Sequence, residues 1–315
     1  MKNIHTTLGL IELGDLGRVD VHEHLIIEGS SIERMYPEFI HGDAELISYE
    51  VKSWKRAGGG VLVDSSPIGA GRSPRKLERV SRLSGVPIII STGFHKSTYY
   101  SCDHWVYERT VDQIHKIILK ECSLGVLVSD NLPARSERST MRAGMVKAGI
   151  DSMGLTPFLK KILKAAYPII KNLNIPLMIH TEKDAPYMKL ADWLESNNFP
   201  SEKIVFCHMD KSPEFDLHRE LTYRGYFIEY DSMVRKSPTI DKLVKLIIGL
   251  FENNLGNKLL FAGDLARKSY WKCYGGNPGL TYLISGLNSK LIEVGISKKE
   301  IDQIWMNNPR SLFYS

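Results

Sequence analysis

The sequence predicts a closed (β/α)8 TIM barrel, a single domain over residues 1–315, on three observations. Eight short apolar runs recur along the chain, and most begin apolar and finish polar. Helix-start signals stand between them, so the pattern is strand then helix, repeated, as in parallel sheets. The length, 315 residues, is somewhat above the roughly 250 typical of this barrel. An open doubly wound sheet is the main competitor. It calls for a glycine-rich dinucleotide turn after the first strand, and HEHLIIEGSS is not one.

The first run, RVDVHEHL (18–25), is rich in residues that fit a pleated surface. Its His22 and His24 are two apart, so on a strand both rings project to one side, whereas on a helix they would diverge by about 200°. A pair of satisfied histidines near a strand end has the same spacing. Asp43 then caps a helix whose Leu46, Ile47, Val51 and Trp54 recur at helical intervals until Gly58, Gly59 and Gly60 stop it. GVLVDSSP (60–67) and VPIIISTGF (86–94) are the second and third strands. The long stretch that follows holds one amphipathic helix near 107–121 and a polar segment, SDNLPARSERST, that reads as a mobile loop. AGMVKAGI (143–150) is the fourth strand, IPLMIHTEK (175–183) the fifth, KIVFCHMD (203–210) the sixth, GYFIEYDS (225–232) the seventh and KLLFAGDLA (258–266) the eighth. Thr156-Pro157, Ser212-Pro213 and Ser237-Pro238 each pair a capping side chain with proline at the first helical position, where its missing N–H costs nothing. Ser297 and Glu300 form a capping box for the C-terminal helix.

Apolar residues at 43% and charged residues at 24% are ordinary for a globular protein with a substantial core. A formal charge of +5 is modest for this length and favours a local site for an anionic ligand over a nucleic-acid surface. Cys102, Cys122, Cys207 and Cys273 lie far apart with no C-x-x-C pair, which argues against a zinc ribbon or a disulfide framework and suits a reducing cytoplasm. The N-terminal stretch lacks the apolar segment of a signal peptide and no later run approaches a membrane span, so neither membrane nor nucleic acid is expected as a partner.

In such a barrel the chemistry sits at the C-terminal ends of the strands. Read as one set, those ends bring His22, His24, Lys147, His180, His208 and Asp264 to a single mouth. Imidazole and carboxylate suit zinc, and also manganese, iron or cobalt, and the absence of a cysteine cluster favours an open catalytic site. Lys147, in the apolar run MVKAG, is costly when charged and buried. Its amine either takes up carbon dioxide as a carbamate able to bridge two metals or pairs with Asp264 or Glu182. Cys207, beside His208, is expected on the opposite face as a small core hydrophobe, and Glu23 should face away from the barrel interior.

H-x-H on the first strand, RAGMVKAG, MIHTEK, VFCHMD, FAGDLA and NNPRSLF together resemble the phosphotriesterase-like family of the amidohydrolase superfamily, over nearly the whole chain and in the family's order. The resemblance implies two divalent metal ions, most simply zinc, with manganese or cobalt as alternatives. His22, His24 and Asp264 would hold one, His180 and His208 the other, and carboxylated Lys147 and a hydroxide would bridge them. Asp264 would be the catalytic proton acceptor. It also implies, by analogy, a homodimer.

Members of this family hydrolyse organophosphate triesters, acyl-homoserine lactones or sugar lactones, so the loops must choose. DSMVRKSPT and DLARKSYWKCYGGNPG bring Arg235, Lys236, Arg267, Lys268, Tyr270 and Lys272 to the rim. Desolvating these cations beside a neutral ester would be expensive, whereas a phosphate supplies their partner. Simple solvation on a surface loop is the alternative. The loop also resembles the branch that opens phosphorylated sugar lactones, which implies phosphate contacts at Lys236, Arg267 and Tyr270. The expected reaction is hydrolysis of a five-carbon aldono-1,4-lactone phosphate by attack of metal-bound hydroxide on the lactone carbonyl. His95, Tyr99 and Tyr100 follow the third strand and are further candidates for substrate contact; the tyrosines would equally serve as packing. Gly275-Gly276 offers backbone N–H groups to an anion or makes a plain turn. A binding protein without catalysis is the reading from a different class, and the complete ligand set argues against it.

Overall fold

The structure, a computed structural model, describes residues 3–12, 14, 16–29, 35–129, 137–232 and 239–314. Eight parallel strands form one sheet in strict chain order: β3 (Arg18–Glu23), β4 (Gly59–Asp64), β5 (Ile88–Gly93), β6 (Ala143–Gly149), β7 (Leu177–His180), β8 (Ile204–Phe206), β9 (Phe227–Tyr230) and β10 (Leu259–Phe261). The seam between β10 and β3 is closed at the mouth, where the Asp264 N–H donates to the His22 carbonyl at 2.8 Å. All eight expected strands are present, and the fold is the (β/α)8 barrel.

Two further strands lie outside the eight expected from the sequence. β1 (Asn3–Thr6) and β2 (Gly9–Glu12) make an antiparallel hairpin under the barrel's N-terminal end, where the Thr7 N–H donates to the Ile88 carbonyl at 2.9 Å. Ile4 joins an interior core of Val19, Val21, Val63, Met145, Met178, Val205, Phe227 and Leu260. Helices pack on the outside. α1 (Ala44–Arg56) buries Ile47, Val51 and Trp54 and is capped by Asp43, whose Oδ1 accepts from Leu46 N–H at 3.0 Å. The glycines after it do more than stop a helix: a Cβ on Gly59 would sit 2.1 Å from the Trp54 ring, so only glycine lets β4 start this close to the tryptophan.

α2 (Pro74–Ser84), α3 (Val111–Ser123), α4 (Pro157–Leu173) and α5 (Tyr187–Ser196) follow in alternation, α3 starting four residues later than expected because Thr110 and Gln113 form its capping box. Thr156 caps α4 as expected. Ser212 does not cap: α6 (Phe215–Tyr223) begins two residues beyond Pro213, and the Ser212 hydroxyl pairs with Tyr187 Oη at 2.9 Å. Ser237-Pro238 lies outside the described residues, as do positions 130–136 of the polar segment, while α7 (Ile240–Glu252) begins just after. α8 (Gly286–Glu293) precedes the helix opened by Ser297, whose capping box with Glu300 is present. The cysteines are free, and among the described residues no helix is long and apolar enough to cross a membrane.

Candidate metal centre

Local backbone irregularities aim the side chains at the mouth. On β3, Asp20 pairs with Leu62 and Glu23 with Asp64, so three steps on one strand match two on the next. This bulge turns His22 inward directly after Val21 and leaves Glu23 outward, where Oε2 accepts the Leu265 N–H at 3.0 Å. The rings of His22 and His24 lie 5.3 Å apart and share their target. His208 and Asp264 both adopt left-handed backbone, φ 60° and 45°, which is uncommon outside glycine and tilts each side chain over the mouth.

That turn corrects the expectation for Cys207. Its thiol is part of the barrel interior with Val205, 4.0 Å from Lys147 Nζ, so Cys207 and His208 serve the same side in succession because the backbone between them leaves the strand conformation.

The six expected residues converge. His24 Nε2 is 3.4 Å and His22 Nε2 3.8 Å from Asp264 Oδ1; His208 Nδ1 is 3.7 Å from Asp264 Oδ2. His208 Nε2 and His180 Nδ1 face each other at 2.8 Å. Lys147, fully buried, holds its Nζ 3.0 Å from His22 Nε2, and Glu182 is taken by Lys96. Donor atoms of His22, His24 and Asp264 fall within 4.8 Å of one another.

Burial keeps the His22, His180 and His208 imidazoles below their ordinary pKa, with neighbouring positive groups adding to the effect at His22 and His180. Neutral imidazoles are what a metal requires. His180 Nε2, moreover, is buried without a hydrogen-bond partner among the described residues. An orphaned ring nitrogen beside a carboxylate and three more imidazoles fits divalent ions.

Outer partners escaped the sequence reading. Glu229 Oε1 lies 2.7 Å from His22 Nδ1, and Asp231 Oδ2 lies 2.5 Å from His208 Nδ1. The sign that exposed Lys147, a charge in an apolar strand, was equally present in FIEY. Burial raises the Glu229 carboxyl, while the His208 ring holds that of Asp231 low.

Above the cluster opens a pocket of about 330 Å³ whose lining includes His95, Tyr99, Lys211, Arg267 and Tyr270. Lys211, just past β8, joins the lining although no motif in the sequence marks it. The Arg267 guanidinium sits 5.6 Å from the centre of the Phe39 ring. His95 and Tyr99 stack at 4.0 Å, and His95 is 4.5 Å from His180. Tyr100 is a correction: it does not line the pocket, and its hydroxyl is spent on backbone, donating to Ile68 O at 2.9 Å and accepting from His95 N–H at 2.7 Å. Gly275 and Gly276 make a plain turn, their N–H groups bonded to Lys272 O and Trp271 O. Arg235 and Lys236 lie outside the described residues.

The sequence profile of the phosphotriesterase family matches residues 2–313. The chain belongs to the phosphotriesterase family. Among curated relatives of this phosphotriesterase-family chain, the phospho-furanose lactonase of Mycoplasmopsis agalactiae is 28% identical, covering 99% of this chain and 91% of that one. The aryldialkylphosphatase of Saccharolobus solfataricus is 22% identical over 96% of both chains. Among solved structures, an amidohydrolase from Mycoplasma synoviae superposes with a TM-score of 0.93 at 26% identity, over 99% of this chain and 92% of that one. With the geometry above, the protein is a metal-dependent hydrolase of this family.

Proposed function

We propose that this enzyme opens a phosphorylated aldono-1,4-lactone of five carbons, using two divalent ions, most simply zinc. His22, His24 and Asp264 would hold one ion and His180 and His208 the other, and Lys147, once its amine has added to carbon dioxide with release of a proton, would supply the carbamate oxygens shared by the pair. When bound, the ions polarise the lactone carbonyl and bring the pKa of water toward about 7. Asp264 removes the proton from the attacking water and delivers it to the ring oxygen as the acyl bond breaks. His95 and Tyr99 wall the sugar.

The observation that carries this reading is that Arg267 and Tyr270 line the same pocket as His24, His180, His208 and Asp264. Arg267 meets phosphate oxygens with a planar fork, Tyr270 and Lys211 add donors, and Lys236 is expected to join them. The volume, about 330 Å³, is at the small end for ligand pockets and suits a small phosphorylated lactone better than a long acyl chain.

The test is a panel of lactones with and without a terminal phosphate, assayed on metal-loaded protein beside an organophosphate triester and an acyl-homoserine lactone. Preference for the phosphorylated members is expected. Turnover confined to the unphosphorylated ones would remove the phosphate assignment and leave the hydrolase.

A further inference from the structure

Strand β9 supplies none of the six residues read as the metal-binding set, yet it carries a fully buried glutamate between Ile228 and Tyr230. Glu229 Oε1 is 2.7 Å from Nδ1 of His22, on the far side of that ring from the mouth. The other ring nitrogen, Nε2, faces Lys147 Nζ at 3.0 Å and Asp264 Oδ1 at 3.8 Å. We infer that Glu229 is a positioning residue of the metal centre: it accepts the Nδ1 proton of His22 and so directs the Nε2 lone pair at the ion.

Chemistry separates this from a purely structural role. Donor atoms of Glu229, Asp231, His22 and His208 lie within 4.8 Å of one another, so two buried carboxylates share one small volume. Without a cation that arrangement costs stability, whether both acids stay ionised or one is forced to keep its proton. Cations held by the His22 and His208 rings would reverse the balance, because each negative charge behind a ligand ring makes that ring a stronger donor. The carboxylate is therefore expected to weaken the empty protein and strengthen the loaded one.

Opposite signs for fold and metal are what the test reads. Glu229→Gln keeps the shape and removes the charge; Glu229→Asp keeps the charge and withdraws it from Nδ1. Zinc per chain is measured by elemental analysis and zinc affinity by competition with a chelator, and the metal-free proteins are compared by thermal unfolding. Both variants are expected to bind one of the two ions about ten- to a hundredfold more weakly than wild type. Metal-free E229Q is expected to melt no lower than the metal-free wild type. Unchanged zinc affinity in E229Q and E229D, with a lowered melting temperature, would overturn the inference and make Glu229 a structural residue. The inference rests on the metal reading, and the two fail differently: wild type that binds no zinc sinks both, whereas wild type with two ions and equally loaded variants sinks this one alone.

Discussion

Along five of the barrel strands, β6 to β10, two successive interior levels have opposite chemistry. At the lower level β6 offers Met145, β7 Met178, β8 Val205, β9 Phe227 and β10 Leu260, all in the interior core. Two to four residues further on, the same strands or their extensions offer Lys147, His180, His208, Glu229 and Asp264. The hairpin seals the lower end, while the upper end opens into the pocket. Stability and chemistry are thus assigned to different levels of one sheet, and substitutions should separate them.

The largest expected effect is at the upper level. Asp264→Asn should lower kcat by about a thousandfold, the middle of the range for a lost proton-transfer group, with little change in melting temperature. Activity within tenfold of wild type would show that another group moves the proton.

Next is the lower level. Met178, fully buried two residues before His180, should when cut to alanine cost about 3 kcal/mol of stability. Turnover per folded, metal-loaded molecule should stay within a few-fold. Chemical denaturation measures the first and active-site titration the second; a Met178→Ala enzyme that is stable but inactive would erase the distinction between levels.

How much of this separation was legible in the sequence follows from the same geometry. Period-two alternation and polar strand ends were enough to find eight strands and six converging residues, because each strand is apolar until it reaches the mouth. Alternation fails where the backbone leaves the strand conformation, which is why Cys207 was assigned to the wrong side: His208 is left-handed, and nothing in FCHMD announces it. Ser212-Pro213 looked like a helix start, but its serine is engaged by Tyr187 from another segment, a tertiary contact that local signals do not contain. The four-residue strands of the hairpin are too short for a periodicity. Glu229 is legible as a charge in an apolar run, whereas Lys211 gains its meaning from β8 ending beside the pocket, which no local signal shows.

A smaller effect is expected at the rim, where Arg267 is exposed and its charge partly screened. Arg267→Ala should lower kcat/KM for a phosphorylated lactone by about tenfold, near the lower limit for one charge-assisted hydrogen bond, mostly through KM. The unphosphorylated analogue should hardly change. Equal losses on both substrates would mean that Arg267 shapes the pocket without meeting the phosphate.

The smallest effect contrasts histidines at the mouth with one that is only packed. His218 on α6 is fully buried, with Nε2 donating toward Met209 O and Ser212 O at 3.0 and 2.9 Å and Nδ1 facing the Tyr230 hydroxyl at 2.6 Å. Burial holds its pKa down to about 4, from 6.5. A depressed value means that the unfolded chain takes up the proton first, so stability from this group is intact above about pH 6.5 and drains away toward pH 4, by about 1.4 kcal/mol per unit. His218→Gln has nothing to lose in that window. The variant should be less stable than wild type at pH 7.5, and the gap should narrow by about 1 kcal/mol by pH 5.5 as wild type gives up its advantage. Other titrating groups act on both proteins alike and cancel in the difference. Denaturation curves that stay parallel over this range would mean that His218 takes up its proton at the same pH in the folded and the unfolded chain, so that burial does not hold its pKa down.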